Sequence, residues 1–335
     1  MKKNIFLAAL LGFVVSGYSQ KIHTPAEILK IMADSKVSYG IEMLKTKVES
    51  KDRSENINPH DCYRVQTDSV IETRTFKPNA EATPLFDNAE TFFGSGDFDL
   101  ALKFYNQALE ADTSLYYIMT YIGQIYEHKR DFENVKAWYL KAINHNYIDY
   151  MAHWFLADAY FATGDLNNAV DEITIARILN RNNPRIKDAM NRIYKKAKLN
   201  SSDWSFTPQM NLIKESDTSI KIMMNDKWIG YAMPKALWLY EPGYKASMGV
   251  HEGVYSTLED KECLVDLLVS LANSGKNYTN DPQLSVLKKA TDQGYFHEYL
   301  MYEVVLPDKP FVAFQLPRES IEKIKDYILK VRSRK

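Results

Sequence analysis

Four columns of residues recur along the middle of this 335-residue chain at a fixed interval of 34 positions. Two columns consist of small side chains and two consist mainly of aromatic ones. They are Ala89, Gly123 and Ala157; Ala108, Ala142 and Ala176; Phe92, Tyr126 and Tyr160; and Phe98, Phe132 and Leu166. A period of this length, with small and aromatic residues at fixed offsets, is typical of an array of helix–turn–helix units. It also favours a function in binding over one in catalysis.

Each unit of the array divides into two amphipathic halves separated by a short turn. The turns are Gly96-Asp97, Arg130-Asp131 and Gly164-Asp165. Pro184 opens a further amphipathic segment that is rich in lysine and arginine. Solenoid arrays need a terminal helix with a polar outer face, so the sequence predicts three repeats over residues 82–183 and a capping helix over 184–199.

Residues 82–183 resemble three tetratricopeptide repeats. The resemblance is carried by small residues at the eighth, twentieth and twenty-seventh places of each repeat. These are Ala89, Ala101 and Ala108; Gly123, Val135 and Ala142; and Ala157, Ala169 and Ala176. Val135 stands where the family usually has alanine, Arg130 replaces a turn glycine, and the closing proline appears only at Pro184. The resemblance implies an α-solenoid of three helix pairs, which bury a continuous core by stacking.

In this family the first helix of each repeat lines a concave groove, so the resemblance also implies a partner-binding surface. Transferred to this sequence, the predicted groove residues are Phe86, Glu90, Phe93, Tyr117, Tyr121, Gln124, His128, Met151, Trp154, Asp158 and Phe161, together with Asp87, Thr120, Glu127 and Phe155. This lining is aromatic and mildly acidic. Aromatic anchors with a few polar groups are typical of protein interfaces.

The same positions make one family function very improbable. Relatives that capture the carboxylate at a peptide C-terminus use lysine, asparagine and arginine, because a carboxylate needs charged or amide donors. Here Phe86, Glu90, Tyr121, Met151 and Phe155 stand at those places. Two occupants of the groove remain open: an outside protein or peptide, or the chain's own C-terminal domain or N-terminal helix.

The first 19 residues predict a secretory signal peptide, with two lysines, an apolar stretch and small residues before a cut after Ser19. We therefore expect an exported protein, periplasmic or secreted, without a transmembrane segment. The leader carries two lysines and no acid, so the net charge of −1 becomes −3 in the mature chain. This balance argues against a nucleic-acid partner or an anionic membrane surface, which favour clustered positive charge.

The segments beside the repeats are less distinctive. A capping box at Thr24-Pro25-Ala26-Glu27 and apolar residues at helical spacing predict an N-terminal helix within residues 20–48. Residues 49–81 are polar and contain prolines, which indicates a connector in which only 63–76 could be ordered. Residues 200–335 lose the period and predict a mainly helical C-terminal domain. Cys62 and Cys263 lie 201 positions apart, and we favour two unpaired thiols over a disulfide.

No motif in the chain indicates catalysis. The seven histidines show no metal-binding spacing, no Gly-rich phosphate loop is present, and no catalytic residue, metal or cofactor is predicted. One segment, residues 226–252, crowds aromatic and titratable side chains: Trp228, Tyr231, Trp238, Glu241, Tyr244, His251 and Glu252. A carboxylate and an imidazole in one pocket could perform acid–base chemistry. An aromatic core with exposed acids is the more common reason for such a composition.

The sequence thus favours an exported protein whose repeats mediate protein–protein interaction, as an adaptor or scaffold in the cell envelope. An enzyme with its site in residues 226–252 and the repeats as a docking arm is the alternative. A third possibility is a structural role, in which the array holds the C-terminal domain.

Overall fold

The computed structural model describes residues 22–50, 62–66, 71–75, 77–200, 204–251, 256–275 and 278–333. They form two compact units, and each unit is assembled from two separate stretches of chain. The split unit consists of the described residues within Met1–Lys51 and Ser205–Lys288, and the repeat unit consists of those within Asp52–Trp204 and Lys289–Lys335. The predicted signal peptide and Glu252 lie outside the described residues.

The helices and strands are numbered in chain order. They are α1 (Pro25–Asp34), β1 (Ser38–Met43), β2 (Cys62–Gln66), β3 (Ile71–Thr75), α2 (Ala82–Ser95), α3 (Phe98–Ala111), α4 (Ile118–His128), α5 (Phe132–His145), α6 (Tyr150–Ala162), α7 (Leu166–Leu179), α8 (Pro184–Lys196), β4 (Met210–Ser216), β5 (Ser219–Met224), α9 (Ile229–Tyr240), α10 (Tyr244–Ser247), α11 (Leu258–Ser274), α12 (Pro282–Asp292), α13 (Phe296–Tyr299), α14 (Leu306–Asp308) and α15 (Arg318–Tyr327). Short 3₁₀ segments cover Asp226–Trp228 and Pro310–Gln315, and π-helical turns cover Leu300–Val305 and Ile328–Arg332.

The three predicted repeats are confirmed as the helix pairs α2–α3, α4–α5 and α6–α7. The second helix of each pair starts in the same way: Asp97, Asp131 and Asp165 are N-caps whose side chains accept a hydrogen bond from the backbone N–H three residues later. An N-cap carboxylate satisfies a donor that the first turn leaves unpaired. Arg130 adopts the left-handed backbone (φ 57°) that glycine has in the other two turns. The turn therefore forms although arginine stands in place of glycine.

Small residues bring the paired helices together as the columns predict. Ala89, Ala108, Ala142 and Ala157 are buried. The strictest position is Gly123 in α4, where a Cβ atom would lie 2.3 Å from Cε1 of Tyr139 in α5. A contact that short does not occur between real atoms, so glycine is required while Tyr139 keeps its place.

The capping helix α8 follows the third repeat and packs on α7. Its inner face buries Ile186, Ile193 and Tyr194, whereas Lys195 and Lys196 are exposed. A terminal helix with one apolar and one charged face closes a solenoid, so this prediction is confirmed.

The sequence predicted a single C-terminal domain over residues 200–335. The structure instead divides this stretch at residue 288 between the two units. From Lys289 onward the residues belong to the repeat unit, where α15 packs against α7. The carboxylate of Glu303 is fully buried and receives 2.7 and 2.9 Å hydrogen bonds from Nε of Arg332 and the hydroxyl of Tyr327. Nη2 of Arg181, two residues after the end of α7, lies 3.6 Å from Oε2 of Glu303. The residues of this buried ion pairing are far apart in the chain, so no local sequence pattern predicts it.

The N-terminal prediction is half right. The capping box forms: the amide of Glu27 donates to Oγ1 of Thr24, and the amide of Thr24 donates to the Glu27 carboxylate. However, the helix ends at Asp34 instead of continuing towards residue 48. Residues Ser38–Met43 form β1, which pairs in parallel with β5, so the sheet order is β1-β5-β4. The apolar residues in this stretch fit both the helical period and the strand period. Pairing with β5 selects the strand.

Two further details complete the fold. The predicted connector, residues 49–81, contains a hairpin in which β2 and β3 pair antiparallel. Cys263 is a free, buried thiol on α11, and the side chain of Cys62 lies outside the described residues. Among the described residues, no helix is both long and apolar enough to cross a lipid bilayer.

Candidate functional site

The predicted groove residues lie on the first helix of each repeat. Phe86, Glu90 and Phe93 are on α2; Tyr121, Gln124 and His128 are on α4, with Tyr117 as its N-cap; and Met151, Trp154, Asp158 and Phe161 are on α6. Tyr117 is buried, Glu90 and His128 are exposed, and the other eight are partly exposed. The rings therefore contribute to a core and also retain surface.

The structure brings the aromatic residues of the first two repeats into one cluster. The ring centroid of Phe93 lies 6.4 Å from Tyr121 and 6.5 Å from His128. Phe86 lies 6.1 Å from Tyr117, which meets Tyr121 edge-to-face at 6.2 Å. These distances are within the range in which aromatic pairs attract. Packing against each other holds the rings in fixed positions along the groove.

Two acidic side chains of the groove are held by tyrosines of the second helices. The hydroxyl of Tyr105 donates to the Glu90 carboxylate, and that of Tyr139 donates to Oε2 of Glu127 at 3.2 Å. Partial burial raises the pKa of the Glu127 carboxyl, and the hydrogen bond from Tyr139 opposes that rise. Because a phenol is neutral, these bonds orient the carboxylates without cancelling their charge.

The tyrosines were not among the predicted site residues, although the sequence carried a signal for them. Tyr105 and Tyr139 are one repeat period apart, and both are fully buried. Burial and the neighbouring carboxylates raise the pKa of both hydroxyls, which keeps them protonated as donors. A search for polar residues recurring at 34 positions would have found this pair.

In the third repeat a cation fills the corresponding part of the groove. The guanidinium of Arg192, on α8, donates to the Asp158 carboxylate and lies 5.4 Å from the ring centroid of Phe161. Burial raises the pKa of the Asp158 carboxyl, and the charge of Arg192 partly offsets this rise. Trp154 packs beside Phe155 at 5.3 Å on the same helix.

The C-terminal segment of the repeat unit packs on α7, the second helix of the third repeat, and contacts the loop between α5 and α6. The hydroxyl of Tyr147 donates to Oε1 of Glu322 at 2.6 Å, and the guanidinium of Arg318 stacks 4.4 Å from the Tyr147 ring. Nζ of Lys325 lies 3.8 Å from Oδ2 of Asp171 on α7. Tyr121, Trp154 and Phe161, three of the aromatic residues on the groove helices, keep a partly exposed surface.

The alternative site in residues 226–252 does not assemble as an acid–base pair. Glu241 accepts hydrogen bonds from Oγ of Ser35 at 2.6 Å and from the Tyr39 hydroxyl at 2.7 Å. His251 is exposed, and within the described part of the chain neither a hydrogen bond nor an ion pair joins it to Glu241. The carboxylate instead ties the N-terminal strand region to the end of α9.

Other members of that segment converge on a residue that sequence reasoning missed. Glu262 on α11 is fully buried; its Oε2 accepts from Nε1 of Trp238 at 2.6 Å and from the Tyr244 hydroxyl at 2.9 Å. Its Oε1 accepts from the backbone N–H of His23 at 2.8 Å. The site fixes the start of α1 to α9 and α11. Since His23 and Glu262 are 239 positions apart, no local pattern could indicate their contact.

The described residues contain no group of three or more histidine, cysteine, aspartate or glutamate side chains arranged to hold a metal ion. No protein-family model and no curated protein matches the sequence.

Solved structures of tetratricopeptide-repeat proteins are similar to parts of the chain. One is the first such domain of Spaghetti (RPAP3) bound to an HSP90 peptide, with 20% identity over 35% of this chain and 94% of that one, at a TM-score of 0.34. Another is YrrB, a protein with an unusual peptide-binding site, with 16% identity over 67% and 92% and a TM-score of 0.33. A third comes from Parabacteroides merdae, with 12% identity over 74% and 99% and a TM-score of 0.34.

The fold of the array is decided by its own helix bounds and by the small residues buried between paired helices. The second helices α3, α5 and α7 begin and end at intervals of 34 residues, and the first helices follow this period to within two residues. The array has the architecture of a tetratricopeptide-repeat solenoid. Its first helices present the aromatic and acidic lining described above, with Arg192 at the third repeat.

Proposed function

We propose that this chain is an adaptor or scaffold whose tetratricopeptide groove binds a protein or peptide partner. The observation that carries the proposal is the placement of aromatic rings at the surface of the first helices. Phe93, Tyr121, Trp154 and Phe161 are held by neighbouring rings or charged groups and are only partly buried.

Preorganised rings of this kind favour binding for a physical reason. Tyrosine and tryptophan give a large contact area and lose little side-chain freedom on binding, and they are enriched among the residues that dominate interface energies. The packing of Phe93 against Tyr121 and of Trp154 against Phe155 fixes these rings before a partner arrives. Little of the interaction energy is then lost to ordering the groove.

The place of action belongs to the same proposal. The leader predicted at residues 1–19 directs the chain out of the cytoplasm, so the partner is expected in the periplasm or outside the cell. Fractionation of the producing cell, with sequencing of the mature N-terminus, tests this part. A chain that begins at Gln20 in the exported fraction is the expected result, and an uncleaved cytoplasmic chain would contradict it.

The groove is tested by affinity capture from an envelope extract of the producing cell. The mature protein is compared with the double variant Tyr121→Ala/Trp154→Ala. Trp138→Ala is the matched control, because Trp138 is also partly exposed but lies on α5, a second helix of the array. Circular dichroism confirms that each variant is folded.

We expect at least one protein to be recovered with the wild type and with Trp138→Ala but lost with the double variant. Truncation of a central aromatic residue in an interface commonly costs about 2 kcal/mol or more, which is a loss of roughly 30-fold in affinity. If all partners are recovered equally with the three proteins, the groove is not the binding surface.

A further inference from the structure

The first and third repeats carry the same acid–aromatic pair in their groove helices. Glu90 and Phe93 stand on α2, and Asp158 and Phe161 stand on α6. Each acid precedes its ring by three residues, so both side chains lie on one helix face. Both members of the pair are separated from their counterparts by 68 positions, which is two repeat periods.

In the third repeat the chain itself shows what this pair binds. The guanidinium of Arg192 donates to the Asp158 carboxylate and lies 5.4 Å from the centroid of the Phe161 ring. A cation held at once by a carboxylate and by an aromatic face gains both a charge-assisted hydrogen bond and a cation–π attraction. Arg192 thus serves as an internal ligand of the pair.

Among the residues that the structure describes, no cation takes the equivalent place in the first repeat. Arg192 stands 68 positions after Gln124, so Gln124 on α4 occupies, relative to Glu90 and Phe93, the place that Arg192 occupies relative to Asp158 and Phe161. An amide side chain carries no positive charge. The hydroxyl of Tyr105 orients the Glu90 carboxylate but leaves its charge, and the side chain of Glu90 is exposed.

We propose that the groove recognises a basic peptide segment and that an arginine or lysine of the partner binds between Glu90 and Phe93. The proposal rests on the groove function proposed above and adds the chemical class of the partner. The carboxylate of Glu127, which Tyr139 orients in the second repeat, adds negative charge to the same groove. The ring of Tyr121, 6.4 Å from that of Phe93, provides apolar surface beside the cation.

The test selects ligands from a random 12-residue peptide library displayed on phage. The full mature protein is immobilised, and selection against Tyr121→Ala/Trp154→Ala in parallel removes sequences that bind elsewhere. The readout is the ratio of arginine plus lysine to aspartate plus glutamate in the enriched sequences. Affinities of the best peptide, and of the same peptide with its basic residue replaced by glutamine, are then measured by fluorescence polarisation.

Two single variants locate the basic site, and a third serves as the control. Glu90→Gln removes the charge but retains the acceptor for Tyr105. Gln124→Arg introduces an internal ligand at the position equivalent to Arg192. Glu133→Gln is the control for general electrostatics, since Glu133 is 91% exposed on α5, outside the groove helices.

We expect basic residues to be enriched in the wild-type selection. The basic peptide should bind about tenfold more tightly than its glutamine analogue, and this preference should weaken with added salt. Glu90→Gln and Gln124→Arg should abolish the preference, whereas Glu133→Gln should retain it.

Two other outcomes overturn the inference and are distinguishable. If peptides are enriched without basic residues, or if Glu90→Gln retains the preference, the groove function stands and the basic-peptide assignment is wrong. If the wild type selects no sequence that Tyr121→Ala/Trp154→Ala fails to select, the groove function itself is wrong for linear peptides.

Discussion

At the scale of single residues, Asp266 is a buried carboxyl whose pKa is raised by its surroundings. It lies on α11 one turn after Glu262 and is 1% exposed, and among the described residues neither carboxylate oxygen accepts a hydrogen bond. Burial, reinforced by the charges of Glu262 and Glu27, raises the pKa of Asp266 to about 7. A carboxyl that is neutral in the folded state favours folding at low pH.

The expected consequence is a pH-dependent stability of the split unit. An unfolded aspartate loses its proton near pH 4, whereas folded Asp266 keeps it up to about pH 7. The stabilisation is therefore complete below pH 4 and is lost as the pH rises from 4 through 7. Asp266→Asn should remove this loss and be more stable than the wild type at pH 8, by on the order of 2–4 kcal/mol.

Urea unfolding at pH 5 and pH 8, followed by tryptophan fluorescence, measures this difference. Asp217→Asn is the control, since Asp217 lies exposed in the turn between β4 and β5. It should keep the pH dependence of the wild type. If the urea midpoints of the wild type and of Asp266→Asn changed by the same amount between pH 5 and pH 8, Asp266 would not be neutral in the folded protein.

Sequence reasoning placed α11 well but could not foresee the burial of Asp266. The apolar stripe of Cys263, Leu264, Leu267, Leu268 and Leu271 predicts a helix with one buried face. Four of these residues are buried, and Leu268 is partly exposed. Asp266 lies between these positions and would be exposed if α11 were covered on that face alone. Contacts with α9 and α1 cover it, as shown at Gly230, where a Cβ atom would lie 2.4 Å from the backbone oxygen of Asp266.

At the scale of elements, the paired repeat helices approach each other closely at the small residues of the 34-residue period. Gly123 of α4 faces the ring of Tyr139 on α5. Around Gly94 of α2, no described atom apart from its chain neighbours and its own helix backbone lies within 4 Å of the place where its Cβ would lie. The two glycines therefore separate the effect of helix packing from that of helix propensity.

Gly123→Ala should destabilise the repeat unit by about 1–3 kcal/mol, because the added methyl group forces the Tyr139 ring out of its place. Gly94→Ala should leave stability unchanged or raise it by about 0.5–1 kcal/mol, since alanine has the higher helix propensity. Thermal and urea unfolding of both variants provide the measurement. If Gly123→Ala were as stable as Gly94→Ala, the contact between α4 and α5 would be looser than described.

At the N-terminus, the choice between helix and strand was made by a distant partner. The capping box at Thr24 fixed the start of α1, and the sequence could predict it because the interaction spans three residues. The strand β1 could not be predicted in this way. Its partner β5 pairs Tyr39 with Ile220, which are 181 positions apart.

At the scale of the whole molecule, two units are built from interleaved stretches of chain. The N-terminal residues contribute α1 and β1 to the split unit, where His23 donates to Glu262 and β1 pairs with the central strand β5. The C-terminal residues contribute α15 to the repeat unit. Cutting the chain at the ends of the repeats therefore removes parts of both units.

Deletion of residues 22–49 should unfold the split unit and leave the repeats folded. Without β1, the backbone donors and acceptors of β5 on that side lose their partners, and Glu262 loses the His23 N–H. Hydrogen exchange measured by mass spectrometry should show lost protection in residues 205–288 and retained protection in residues 82–196. A synthetic peptide of residues 22–49, added in trans, should restore protection, whereas a scrambled peptide should not. Unchanged protection of 205–288 after the deletion would contradict this account.

The sequence by itself determined the tetratricopeptide solenoid, including its turns, its small-residue contacts and the aromatic and acidic lining of its first helices. It could do so because each helix packs on its chain neighbours, so the 34-residue period records the tertiary contacts directly. Only the tertiary structure decided which residues complete each unit, how Glu262 and Glu303 are paired, and that Arg192 fills the acid–aromatic pair of the third repeat. Most of these contacts join residues that are far apart in the chain. Packing and charge in the folded protein select the contacting residues, so no local sequence pattern predicts them.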